Sequence, residues 1–237
     1  MGFNFRLVRT EFDAADIRNA IANSLAAAAL AQASPTWTLA NHDVEREVTR
    51  YGGGTRGLDR ARAMALVMLA LPGAVFIYNG EELGLPNVDL PDAVLQDPVW
   101  ERSGRTERGR DGCRVPMPWH GTAPPFGFST NSDTWLPMPT DWAPLTVAAQ
   151  TEDPTSTLAL FRTALSLRRN MFRFTALDFR WLPSDDDVLV FLSGGVLCIL
   201  NAGPAAIPLP RHEIFVSSSP LVEGELPPDA AVWLRGS

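Results

Sequence analysis

The stretch AVFIYN, residues 74–79, is an almost unbroken apolar run that follows a Pro72-Gly73 stop. A run of that length, bounded by turn residues, fits a parallel strand buried on both faces inside an α/β layer. The segments before it follow the same plan. LDRARAMALVMLALP, 58–72, is a largely apolar helix, and TWTLA, 36–40, is a second strand. Further back, Ile17, Ile21, Leu25 and the following alanines recur at helical spacing, with Asp13 or Asp16 at the N-terminal end. FNFRLV, 3–8, alternates apolar with polar residues and suits a short strand. The resulting β-α-β-α-β order places the first half in the α/β class. Three strands cannot close a barrel, so either the sheet is small and open or the chain is the tail of something larger.

The second half reads differently. A long irregular region, about 84–153, is dense in Pro, Gly, Trp and Arg, and such an excursion in a compact domain is normally functional. TSTLALFRTALSLRRNMF, 155–172, is an amphipathic helix with Leu158, Phe161, Leu165 and Leu167 on or near one face. After it come ALDFRWLP, DVLVFLSGG, VLCILNAGP, EIFVSSSP and AAVWLRGS, short strands separated by turn residues. They form a small antiparallel β domain from about residue 174.

Composition narrows the function. A net charge of −7 argues against a general nucleic-acid or anionic-membrane binder. All 20 basic residues are Arg, which removes a P-loop lysine or a Schiff base. Cys113 and Cys198 match no zinc or thioredoxin spacing and read as structural thiols of a reducing cytoplasm. The N-terminus carries acids and no secretory core, and the longest apolar run is too short to span a bilayer. The expectation is a cytoplasmic protein without metal or cofactor.

The chemistry-bearing residues gather at strand ends. Asn41-His42-Asp43 follow TWTLA, and Glu81-Glu82 follow AVFIYN, at the end of a parallel sheet where loops collect functional groups. A His-Asp pair alone fits a hydrogen-bonded loop histidine equally well. ERSGRTERGRDGCR, taken alone, is a solvated mixed-charge loop, with Arg110 and Asp111 bracing it as an ion pair. Trp100, Trp119, Trp135 and Trp142 suit packing of the long loop, with stacking on a ligand's flat face as the alternative.

In combination the motifs are more specific. NHDVERE with TRYGGG, then an apolar helix, then LPGAVFIYNGEELGLP, then GRDGCRVPMPW resembles, in order and spacing, the α-amylase family of glycoside hydrolases. Within it the sequence is similar to intracellular α-glucosidases and oligo-1,6-glucosidases. The resemblance implies α/β plus β architecture. Residues 1–173 would supply about the last three strand-helix units of a (β/α)8 TIM barrel, and 174–237 an antiparallel β-sandwich. It implies Asp43 as transition-state stabiliser, with His42 beside it, both contacting hydroxyls of the glucose whose bond is cut. A carboxylate accepts such bonds and an imidazole donates one. Arg114 would grip the terminal glucose, Arg46 and Tyr51 would shape the leaving-group side, and Glu81-Glu82 would support their loop. The family's nucleophile and general acid stand on earlier strands for which no matching segment is found. The implied ligand is a short α-glucoside such as maltose or isomaltose, and the implied partner a complementary N-terminal fragment. The alternatives are a non-catalytic sugar-binding or assembly module and an inactive truncated product.

Overall fold

The computed structural model describes residues 4–170 and 178–236. The expected first strand is instead a helical turn, α1 (Phe5–Val8), in the part that is described. Its cap explains the difference: the Asn4 side chain accepts a hydrogen bond from the Arg6 amide, which starts a helix in place of a ladder. Helix α2 (Ala14–Leu30) opens as expected, with Asp13 accepting from the Asp16 amide at 2.9 Å. It is followed by β1 (Thr36–Trp37), the short α3 (Glu47–Arg50), α4 (Gly54–Ala70) and β2 (Ala74–Val75).

β1 and β2 pair in parallel, Thr36 against Ala74 and Trp37 against Val75. Both are shorter than the sequence implies, and AVFIYN is not sealed on two faces. Ala74 and Val75 are half-buried and Phe76 is 37% exposed. Among the described residues β1 is the only strand paired with β2, so its other edge lies open.

Helix α4 is the centre of the molecule. Every residue from Ala63 to Ala70 is at most 1% exposed, the pattern of a helix covered on all sides. Ile17 and Ile21 of α2, Trp37 of β1, and Leu160, Phe161 and Ala164 of α7 (Thr157–Asn170) belong to the same core. On α7 the buried positions are Leu158, Leu160, Phe161 and Ala164. Leu165 is 39% exposed, a correction to the expected face. The last turn of α4 is held by Arg168, whose guanidinium donates to the carbonyls of Leu69, Leu71 and Gly73.

The long loop has short helices α5 (Pro98–Arg102) and α6 (Val147–Glu152), a few 3₁₀ turns and its own apolar core. Leu83, Leu85, Val115, Phe126, Leu136 and Trp142 meet there. Trp100 is buried too, whereas Trp119 and Trp135 are 44% and 57% exposed.

The β domain contains β3 (Arg180–Trp181), β4 (Val188–Ser193), β5 (Val196–Asn201), β6 (Ile207–Pro208), β7 (Ile214–Ser217), β8 (Glu225–Leu226) and β9 (Ala230–Arg235). Five of them form an antiparallel sheet in the order β3-β4-β5-β9-β7, and β6 pairs with β8 as a small second layer. One face packs on α4, where the Trp233 indole donates to the Leu66 carbonyl at 3.0 Å. The other face packs against β6 and β8. The expected boundary at 173/174 lies outside the described residues.

Glycines 52, 53 and 54 all have positive φ (111°, 66° and 57°), which turns the chain from α3 into α4. Gly57 allows the closest approach: a Cβ there would stand 2.1 Å from the Val48 carbonyl oxygen. The expected outcome for Gly57→Ala is a loss of about 1–3 kcal/mol in urea unfolding, from overpacking against backbone that cannot yield. Unchanged stability would show that α3 is free to move away from α4.

Candidate active site

The site is built on the loop after β1. Asn41 is buried, and its side-chain oxygen accepts from the Asp43 amide at 2.8 Å, fixing a tight turn that turns His42 and Asp43 outwards. Arg50 holds the same loop from behind, donating to the carbonyls of Leu39 (2.9 Å) and Glu45 (3.0 Å) while its guanidinium lies over the Tyr51 ring. Asp43 and His42 remain open, with side chains 40% and 61% exposed. His42 Nε2 stands 3.5 Å from Asp43 Oδ2.

Two arginines from the long loop reach Asp43 from the other side. Arg110 Nη1 donates to Asp43 Oδ1 at 2.7 Å, and Arg114 Nη2 lies 3.4 Å from the same oxygen. Arg114 Nε also donates to the His42 carbonyl at 2.8 Å. The structure thus brings His42, Asp43 and Arg114 together on one accessible surface. Arg110 is part of this surface too. Its ion pairs run to Asp43 and to buried Asp97, not to Asp111 as the sequence suggested. Asp111 is buried and accepts from the amides of Gln96 and Asp97. Hydrogen bonds from Arg110 hold the Asp97 carboxyl well below the usual carboxylate range, and Arg110 is raised in turn.

Arg46 and Tyr51 are placed elsewhere. Arg46 is 3% exposed, donates to the Asn79 carbonyl at 3.0 Å and lies over the Tyr78 ring. Tyr51 is 2% exposed and meets Phe12 edge to face. Both brace the loops from inside, where their polar atoms face backbone and neighbouring side chains, and neither lies on the open surface with His42 and Asp43. Sequence reasoning missed Asp97 and Tyr78. Tyr78 donates its hydroxyl to the Cys113 carbonyl at 3.0 Å, tying the end of β2 to the arginine loop. The signal for Asp97 was the N-cap pattern Asp-Pro at the start of α5, which hid a second role.

Glu81 and Glu47 form an interior acidic pair. They are 2% and 1% exposed, and among the described residues three of their four carboxyl oxygens accept no hydrogen bond. Glu81 uses the fourth to accept from the Tyr78 amide, and Glu82 accepts from the Gly80 amide. These bonds shape the GEELG turn. Burial pushes both buried carboxyls up, Glu81 further because Glu47 lies near it, with Arg46 opposing the rise.

Comparisons with known proteins give the family of the chain. The family described as Alpha amylase, catalytic domain, matches residues 3–175. A probable alpha-glucosidase of Rhizobium meliloti is 36% identical over 186 residues, which is 75% of this chain and 33% of that protein. An oligo-1,6-glucosidase of Heyndrickxia coagulans is 29% identical over 164 residues, 61% of this chain and 29% of that protein. The crystal structure of the alpha-glucosyl transfer enzyme XgtA superimposes with a TM-score of 0.79 at 31% identity, over 100% of this chain and 46% of that one. The fold is part of a (β/α)8 barrel followed by an antiparallel β domain, as the superposition on that enzyme shows. The chain belongs to the alpha-amylase family. It spans about a third of the length of the curated relatives it matches.

A carboxyl raised by burial favours the folded state at low pH and withdraws that favour as pH rises through its folded value. Stability is therefore expected to fall as pH climbs from the ordinary glutamate range through the raised values of Glu47 and Glu81. Glu81→Gln should flatten that slope in urea unfolding measured at a series of pH values. A slope identical to wild type would show that the pair does not titrate in the folded protein.

Proposed function

We propose that this chain is the C-terminal part of a retaining α-glucosidase that removes glucose from the non-reducing end of short α-linked oligosaccharides. The carrying observation is the joint placement of Asp43, His42 and Arg114 on one open surface, with the Asp43 carboxylate already oriented by two guanidinium groups. In such hydrolysis positive charge builds on the sugar ring, and hydrogen bonds to its hydroxyls strengthen as the ring flattens. Asp43 accepts these bonds and its negative charge favours the cationic ring, and His42 donates one from its imidazole. Arg114 fixes the backbone of His42 and faces the terminal sugar.

The nucleophile and the general acid come from polypeptide outside these residues. The buried acids near the site are committed to structure: Asp97 to Arg110, Asp111 to the amides of Gln96 and Asp97, and Glu81 and Glu47 to the interior. The open edge of β2 and the exposed Phe76 suit pairing with a complementary N-terminal fragment that carries the remaining strands. The two free, buried cysteines suit a reducing, cytoplasmic setting.

Nitrophenyl α-glucoside is expected to be inert with the purified chain. Addition of a fragment carrying the first strands of an α-glucosidase barrel should restore turnover. In the restored enzyme Asp43→Asn should lower kcat/KM by about 10²- to 10³-fold. Turnover by the chain alone at a rate that survives Asp43→Ala would contradict the assignment.

A further inference from the structure

Asp97 is buried while Asp43 is exposed, yet two arginines touch both acids. Arg110 donates through Nε to Asp97 Oδ2 at 2.6 Å and through Nη1 to Asp43 Oδ1 at 2.7 Å. Arg114 spans the same gap, with Nη1 at 3.6 Å from Asp97 Oδ2 and Nη2 at 3.4 Å from Asp43 Oδ1. The charges alternate around a closed frame of two carboxylates and two guanidinium groups. The Asp97 side chain is 1% exposed, so the inner corner of the frame is fixed, while Arg110 and Asp43 reach water.

The backbone is shaped to seat this frame. Asp97 accepts from the amides of Val99 and Arg110, and its own amide donates to buried Asp111. Gly109 has a φ of 73°, and a Cβ there would meet the Asp97 side chain at 2.7 Å. The arginine loop therefore lies directly on Asp97, with no room for a side chain between.

We infer that Asp97 is a positioning residue for the sugar site. Through Arg110 and Arg114 it pins Oδ1 of Asp43 and leaves Oδ2, beside His42 Nε2, as the oxygen that meets the ligand. The inference rests on the sugar-site reading for its purpose but not for its geometry. Each fork holds its partner acids through fixed donors, so Asp43 is oriented before any ligand arrives. An unpinned carboxylate would have to be ordered at the moment of binding, which weakens affinity. The role differs from that of a loop brace, because it passes through the charge of Asp97 and not through its cap on α5.

The test separates charge from cap. Asn caps a helix as well as Asp, so Asp97→Asn keeps the start of α5 and removes the charge. Arg110→Gln breaks the same frame from its exposed corner and serves as the second variant should Asp97→Asn fail to fold. Two readouts are taken on the full chain: exchange of the Arg110 Nε–H proton with water by NMR, and calorimetric binding of isomaltose and maltose. In Asp97→Asn the Arg110 proton should exchange about tenfold faster or more. Sugar binding should weaken about tenfold in each single variant, and the double variant should be no worse than either, as expected for residues acting through one linkage. An unchanged Arg110 proton in folded Asp97→Asn, or additive losses in the double variant, would overturn the inference. A wild-type chain that binds neither sugar, but shows the protected and Asp97-dependent Arg110 proton, would support the frame and count against the sugar reading.

Discussion

Everything in this fold depends on the burial of α4. The stretch of α4 from Ala63 to Ala70 has no polar face and cannot rest on a surface. It needs partners on every side, and the chain supplies them from both halves: β1, α2 and α7 around one part, the antiparallel sheet against the other. Removing apolar surface of that extent from water is the dominant favourable term in a fold of this size. The β domain shares one core with the barrel portion. Phe191, Cys198 and Trp233 belong to the same core as Met64 and Leu66.

Arginine does the joining work that other chains divide between Lys and Arg. Arg168 holds the end of α4, Arg62 bridges to the carbonyls of Thr155 and Ser218, and Arg56 and Arg60 meet Asp229 in the turn before β9. At the site Arg110 and Arg114 repeat the device with carboxylates as targets. A planar fork with several donors fixes two or three acceptors at once, so each such residue sets a geometry as well as a charge. The same chemistry that ties the two halves together thus orients the exposed Asp43 carboxylate.

Much of this was legible in the residues. The helices α2, α4 and α7 followed from their spacing and their Asp, Gly and Pro boundaries, and the longer strands β4, β5 and β9 from short apolar runs between turn residues. The apolar run AVFIYN misled, since hydrophobicity reports what a segment prefers to bury and not how many neighbours are there to cover it. FNFRLV failed because a single Asn side chain decided the local conformation. β6 and β8 were too short to carry a pattern. At the site, the motif order pointed to His42, Asp43 and Arg114. The interior positions of Arg46 and Tyr51, and the partners of Arg110 and Asp97, depend on which way loops fold over one another, which spacing alone does not encode.

The central claim is that a preset Asp43 carboxylate, with His42 at its side, receives the hydroxyls of a glucose ring. A crystal structure of the chain grown with isomaltose tests it most directly. The account predicts a glucose ring with adjacent hydroxyls on Asp43 Oδ2 and His42 Nε2, and with Arg110 and Arg114 still on Oδ1. Sugar stacked only on the exposed Trp119 or Trp135, with Asp43 untouched, would contradict it.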